Sequence, residues 1–338
     1  MTNPAKTFQN PMMKSGADPW MYRHSDGFYY YMVTRGNRLE LHRSRTMSGI
    51  AQSPPTTIWL PPSEGPGSRE LWAPEIHFVQ DKWYVYFTAS DGSGDNGRKV
   101  YVLENESANP AQGAWTEKGA INTALPGLDG TILQHAGKLY FMYAGYGHFP
   151  EYGSAIYAAR MDNPWTLTGP EALLTKPEFE WEKQGGMAIN EGPCFLVRYG
   201  KVFLIYSAST TWSDDYSLGM LAADERSDLL DPDSWTKSDH PVFAKCTDNS
   251  VYAPGHNSFT QSPDGLEDWI VYHAIPQSEG GAGMRQPRMQ KFNWTAAGYP
   301  DFGKPLASGI DYPVPSGEYS EETDDSQTNQ PGGNVQHD

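Results

Sequence analysis

Disulfide chemistry has little to work with in this chain, which carries two cysteines, Cys194 and Cys246, in 338 residues. That is too few for the cross-linked framework of a small secreted scaffold. Cys194 falls in the apolar run CFLV and reads as a small buried hydrophobe, while pairing with Cys246 is left open by the sequence. No run of about 18 apolar residues occurs, so no transmembrane helix is expected. The N-terminal stretch MTNPAKTFQNPMMKSG lacks the apolar centre of a secretion leader. The alternatives are an intracellular protein or one whose leader has been removed. Basic residues are also scarce, 25 Lys and Arg against 41 Asp and Glu, for a net charge of −16. Such a chain is repelled by phosphate backbones and by anionic lipid, so neither nucleic acid nor membrane is expected as a partner. A neutral ligand such as a sugar is compatible with that charge. Long helical periodicity is missing as well, which turns the reading toward β-structure.

What the chain has in abundance is aromatic residues, 13% of the total, arranged in a repeat. Five stretches share one plan: a polar residue, a short apolar strand, a tight turn, then a strand rich in Tyr, Phe and Trp. Their heads are Asp18, Glu75, Asp129, Glu191 and His256, about 55–65 residues apart. Their turns are Ser25-Asp26-Gly27, Gln80-Asp81-Lys82, His135-Ala136-Gly137, Arg198-Tyr199-Gly200 and Pro263-Asp264-Gly265, compositions that supply the positive φ of tight hairpins. Each unit has room for two more strands. Thirds are expected at 38–44, 99–103, 154–161, 217–223 and 288–294, and fourths at 57–60, 114–120, 172–175, 241–244 and 305–308. Four strands repeated five times predict an all-β fold, a five-bladed β-propeller with four-stranded blades around a central channel. Blades bury their faces only against neighbours, so residues 1–315 form one domain. Residues 316–338 are acidic and nearly free of apolar side chains, and read as a disordered tail.

In a propeller the first strand of every blade lines the channel and runs the same way, so residues heading those strands converge at one end. Asp18, Asp129 and Glu191 would thus share one pocket. Converging carboxylates repel one another, and at least one should hold its proton near neutral pH. Cleavage of a glycosidic bond needs that combination: a protonated acid on the leaving oxygen, and a carboxylate to activate water or attack. Trp72 enters the second blade's first strand and either packs in the core or stacks on a sugar ring. The loop Asp91-Gly92-Ser93-Gly94-Asp95 has a calcium-loop composition without the ligand spacing of an EF-hand, and reads as a turn. Tyr146, His148 and Tyr152 fall on the carboxylate rim. Loops at 61–70, 145–153 and 209–216 are long enough to wall a pocket.

At these residues the chain resembles glycoside hydrolase family 43. The motifs that carry the likeness are Ala17-Asp18-Pro19, Trp72-Ala73-Pro74-Glu75, Leu128-Asp129-Gly130, Asn190-Glu191-Gly192-Pro193, Gly255-His256-Asn257 and the segment RQPRMQKFNW with Arg285 and Arg288. They span roughly 10–313 in the expected order. The resemblance implies an inverting glycosidase with Asp18 as general base, Glu191 as general acid and Asp129 orienting the acid and raising its pKa. Substrate binding falls to Trp72, Glu75, Arg285 and Arg288, with Arg285 preferred for the terminal sugar. No cofactor is required for the chemistry. His256 projects into the channel, where the family often holds an ion or a water cluster. One imidazole is too few ligands for zinc, so calcium held mainly through water is the better candidate.

Within the family the motifs look most like exo-acting α-L-arabinofuranosidases, which remove terminal arabinose from α-1,5-linked arabinan or its oligosaccharides. β-Xylosidase, endo-arabinanase and a non-catalytic carbohydrate-binding propeller are the alternatives. The invertase-like fructosidases share the architecture but open on Asn-Asp-Pro and place a Cys after the acid. Here the opening is Ala-Asp-Pro and the acid precedes Gly-Pro.

Overall fold

The computed structural model describes residues 6–318. Five four-stranded antiparallel sheets follow one another along the chain, each with its strands in sequence order. The innermost strands are Ala17–Arg23, Arg69–Val79, Gly127–His135, Asn190–Arg198 and Tyr252–Gln261. The aromatic second strands are Tyr29–Thr34, Lys82–Ser90, Lys138–Gly145, Lys201–Ala208 and Asp268–Ile275. This is the expected five-bladed β-propeller.

The aromatic second strands hold the ring together because a strand turns successive side chains to opposite faces. In blade 1, Tyr29, Tyr31 and Val33 pack with Trp269, Val271 and Met289 of blade 5. The intervening Tyr30 and Met32 pack with Trp83, Val85 and Phe87 of blade 2. The same alternation seals blades 2 and 3 through Tyr86, Phe141 and Tyr143, blades 3 and 4 through Met142 and Tyr206, and blades 4 and 5 through Phe203 and Tyr272. Each such side chain contributes about 1.5–3 kcal/mol on burial. A short sheet pairing Thr7–Phe8 with Tyr312–Pro313 joins the two ends of the chain. Asn10 clasps Met289 by accepting from its N–H and donating to its carbonyl, at 3.0 and 2.9 Å.

All five predicted turns contain residues with positive φ, among them Gly27, Asp81, Gly137, Gly200 and Gly265. The third strands fall where expected. Two fourth strands do not: blade 4 closes with Thr236–Lys237 rather than 241–244, and blade 5 with Pro300–Asp301 rather than 305–308. Each is a two-residue outer strand, too short to carry an alternating pattern. In the 241–244 stretch, Phe243 makes only an isolated bridge to Leu218. Cys194 and Cys246 are both buried and unpaired with each other. Most of the acidic tail lies outside the described residues. Its first three residues are packed, however. Ser316 bonds Glu267 and Asp264, and the buried Glu318 carboxylate accepts from the Met47 and Ser48 amides.

Candidate active site

Every innermost strand carries a β-bulge near its start, and those of blades 2 and 5 carry a second, between Arg69 and Trp72 and between Tyr252 and Gly255. The pairing jumps between Ala17 and Trp20, Trp72 and Glu75, Leu128 and Thr131, Glu191 and Cys194, and Gly255 and Ser258. At each of these five bulges one residue adopts the left-handed conformation, Asp18, Ala73, Asp129, Gly192 and His256, with φ between 44° and 56°, and Glu70 and Ala253 do the same at the two additional bulges. The first five are the structurally equivalent positions. Asp18, Asp129 and His256 therefore head their blades as expected. Glu191 sits one residue before its bulge and Glu75 two residues after, so the sequence alignment of heads was out of register in blades 2 and 4.

The bulge amides, freed from the ladder, are satisfied across the seams. Ala73 N–H donates to the Thr34 hydroxyl at 2.7 Å, Asp129 to Thr88 at 2.9 Å, His256 to Ser207 at 2.8 Å and Asp18 to His273 Nδ1 at 3.1 Å. Each acceptor belongs to the second strand of the preceding blade, opposite the residue that precedes that blade's own bulge. In blade 3 this position is Ala144, which has no acceptor. The Gly192 amide donates instead to Asp129 Oδ2, at 3.1 Å. That substitution of partner ties Asp129 to the backbone beside Glu191.

A cavity of about 890 Å³ opens over these bulges, lined by Asp18, Asp129, Glu191, Trp72, His256 and Arg285 among others. Asp18 is held on every side. Its Oδ2 accepts from the Thr34 hydroxyl at 2.6 Å and its Oδ1 from Arg285 at 3.1 Å. Oδ1 also lies 3.4 Å from Nδ1 of both His256 and His273. Burial opposes ionisation of Asp18, but His256, Arg285 and His273 outweigh it and keep the carboxyl well below its usual range. Burial acts on Glu191 with weaker compensation, to which Arg285 contributes. The Tyr216 hydroxyl opposes the rise, Asp18 adds to it, and Glu191 is pushed up to about 7. Asp129 is raised as well, by burial and by the charges of Glu191 and Asp18, against the pull of the Gly192 amide and Arg98. Asp129 and Glu191 are thus both shifted toward their protonated forms while Asp18 stays ionised. The site holds a carboxylate and a carboxylic acid on different blades.

Two expected substrate contacts are corrected. Glu75 does not reach the cavity. It is buried beneath it, 2.9 Å from His77, and burial raises its pKa well above the usual value. Arg288 is fully buried and donates to the Leu306 carbonyl and the Ser308 hydroxyl. Arg285 closes the turn Ala282–Met284 just before the strand Gln286–Trp294 and lines the pocket, whereas Arg288 lies within that strand and does not. Trp72 lines the cavity, with the Arg98 guanidinium 4.2 Å above its ring.

Several pocket residues went unforeseen. Arg98 is buried against Glu70, Asp95 and Tyr146. Asp95 and Asn96 belong to the loop read as a mere turn, yet they form part of the wall. The 145–153 loop supplies Tyr146 and Phe149, and the 209–216 loop supplies Thr211 and Trp212. The cavity wall takes nothing from 61–70, although Glu70 pins Arg98 from behind. His148 and Tyr152 pair with each other and do not line the cavity. The length of the 145–153 and 209–216 loops was the signal for the wall, and Arg98, Asp95 and Asn96 had none.

Comparison with known proteins agrees with this geometry. The family model for glycosyl hydrolases family 43 matches residues 8–300. An extracellular exo-α-(1→5)-L-arabinofuranosidase of Streptomyces avermitilis is 42% identical over 317 residues, covering 91% of this chain and 66% of the relative. The chain thus spans about two thirds of that relative's length. An enzyme of the same name from Streptomyces chartreusis is 41% identical, covering 80% of this chain and 84% of its own. The crystal structure of an α-L-arabinofuranosidase from Lactobacillus brevis superposes with a TM-score of 0.85 at 39% identity, covering 90% of this chain and 98% of that one.

Proposed function

The chain belongs to glycosyl hydrolases family 43, and from that premise we propose that it releases terminal α-L-arabinofuranose from α-1,5-linked arabinan or its oligosaccharides, with inversion. The observation that carries the proposal is the split protonation of the pocket. Asp18, whose carboxylate accepts from Arg285 and from the Thr34 hydroxyl, stays ionised, while Glu191 holds a proton up to about pH 7. In this reading Asp18 takes a proton from water as the water attacks the anomeric carbon, and Glu191 gives its proton to the departing oxygen. Asp129 fixes the backbone beside the acid through Gly192, while the rise of Glu191 itself comes from burial and from the charge of Asp18. Arg285 faces the terminal sugar while it holds the base, and Trp72 offers an apolar face to it. The names of the Streptomyces and Lactobacillus relatives favour arabinofuranose over xylose. The loops bearing Phe149 and Trp212 wall the cavity in a way that suits a chain end.

No cofactor enters this chemistry. Direct ligation of an ion does not fit the residues present, since among the described residues no group of three or more His, Cys, Asp or Glu is placed to hold one. An ion at the channel head would be held by His256 through water, and no step is routed through it.

The test offers the protein α-1,5-arabinotriose and an aryl β-xyloside. Stepwise release of arabinose with accumulating arabinobiose is the expected result. Cleavage of the xyloside with the triose intact would replace the substrate assignment, and inertness toward both would favour a carbohydrate-binding propeller.

A further inference from the structure

We propose that Tyr216 is a positioning residue that decides which oxygen of Glu191 carries the transferable proton. Tyr216 precedes the third strand of blade 4, is fully buried, and donates from its hydroxyl to Glu191 Oε1 at 2.7 Å. Behind it the hydrogen bonds run in one direction only. The His256 amide donates to Ser207 Oγ, which leaves the Ser207 proton free to bond the Tyr216 hydroxyl. Tyr216 must then give its own proton to Glu191, because a hydroxyl has a single hydrogen to donate. With Oε1 occupied as an acceptor, the acid proton resides on Oε2.

The ring is fixed as firmly as the hydroxyl. It lies stacked on His273, with centroids 5.6 Å apart and planes 8° apart, and His273 is the residue behind the Asp18 backbone. Gly255 makes the space, since a Cβ there would come within 2.3 Å of the Tyr216 ring. One buried aromatic pair therefore spans the distance between the proposed acid and base, with one end bonded to each. Any tilt of Tyr216 moves the Glu191 carboxyl relative to Asp18.

This inference rests on Glu191 being the general acid, and its test separates the two. Tyr216→Phe keeps the ring, the stack and the filled space while removing the donor. Loss of a hydrogen bond to a carboxyl of this kind costs about 10- to 100-fold. On arabinotriose, whose leaving group needs protonation, kcat should fall by about that factor. On an aryl arabinoside with an acidic phenol it should fall by less than about threefold. The alkaline limb of the pH profile should move upward, because a bond favouring the ionised carboxyl is gone. Glu191→Gln is run on the same two substrates. If it shows the leaving-group dependence and Tyr216→Phe loses both substrates equally with an unmoved alkaline limb, the role of Tyr216 is overturned and the acid stands. If Glu191→Gln shows no such dependence, both fall.

Discussion

The two ends of the innermost strands use the same backbone anomaly for different ends. At the outer turns, positive φ falls mostly on glycine or on Gln-Asp and Ala-Gly pairs, and its only task is to reverse the chain. At the five equivalent bulges it falls on Asp18, Ala73, Asp129, Gly192 and His256, of which only one is glycine. A left-handed residue with a side chain costs about 1–2 kcal/mol each. The ring tolerates this at four of these five bulges because each bulge amide finds a fixed acceptor across a seam. What the distortion gains is aim: it turns Asp18, Asp129 and His256 out of the strand pleat and into one cavity. Conformational strain that is merely permitted at one end is put to chemical use at the other.

The comparison is broken most sharply by Asp18→Asn. Asparagine tolerates the left-handed conformation and still accepts from Thr34, so the melting temperature should stay within a few degrees of wild type. Activity on arabinotriose should fall by about 10²–10⁴-fold, the worth of a general base. Equal loss of stability and activity would place Asp18 in the architecture only.

Next in size is the pH response. The proposed mechanism requires Asp18 ionised and Glu191 protonated. As pH rises through about 7, Glu191 loses its proton and kcat/KM should decline. As pH falls, the decline should begin only well below the ordinary aspartate range, because Asp18 is held down. The optimum is therefore mildly acidic. A profile rising through pH 8 would contradict the assignment.

Ala144→Ser sharpens the comparison among the bulges themselves. Blade 3 alone lacks an acceptor at this position, and a serine there gives the Gly192 amide the partner its counterparts have. Asp129 would lose its anchor, and kcat should drop by about tenfold, the value of one hydrogen bond to a charged group. An unchanged kcat with the hydroxyl seen bonded to Gly192 would show that the Asp129 contact is dispensable.

The smallest effect belongs to the turn end. Gly137 has φ 72° and open space where a Cβ would project. Gly137→Ala should therefore cost about 1–2 kcal/mol, the left-handed penalty alone. Denaturant titration should show that loss with kcat unchanged.

These differences also explain what could be read from the chain and what could not. The repeat, the turns and the aromatic strands were legible because their patterns recur and the blades bury them alike. The bulges were not, because their left-handed residue is in turn Asp, Ala, Asp, Gly and His, with no shared chemistry. For that reason Glu75 was taken for a pocket residue and Glu191 for an equivalent of Asp18. Arg98 and Tyr216 escaped notice because each sits just before the third strand of its blade, where nothing in the local sequence marks a pocket residue. Arg285 and Arg288 could be told apart only once the start of the strand at Gln286 was known.

The most direct test of the account is a proton NMR time course of arabinotriose hydrolysis, read before mutarotation equilibrates the product. Asp18 activating water, with Glu191 protonating the opposite side, predicts that free arabinose appears first as the β-anomer and that Asp18→Asn is silent. First appearance of the α-anomer would mean a retained configuration. It would make Asp18 a nucleophile or a bystander and contradict the base assignment outright.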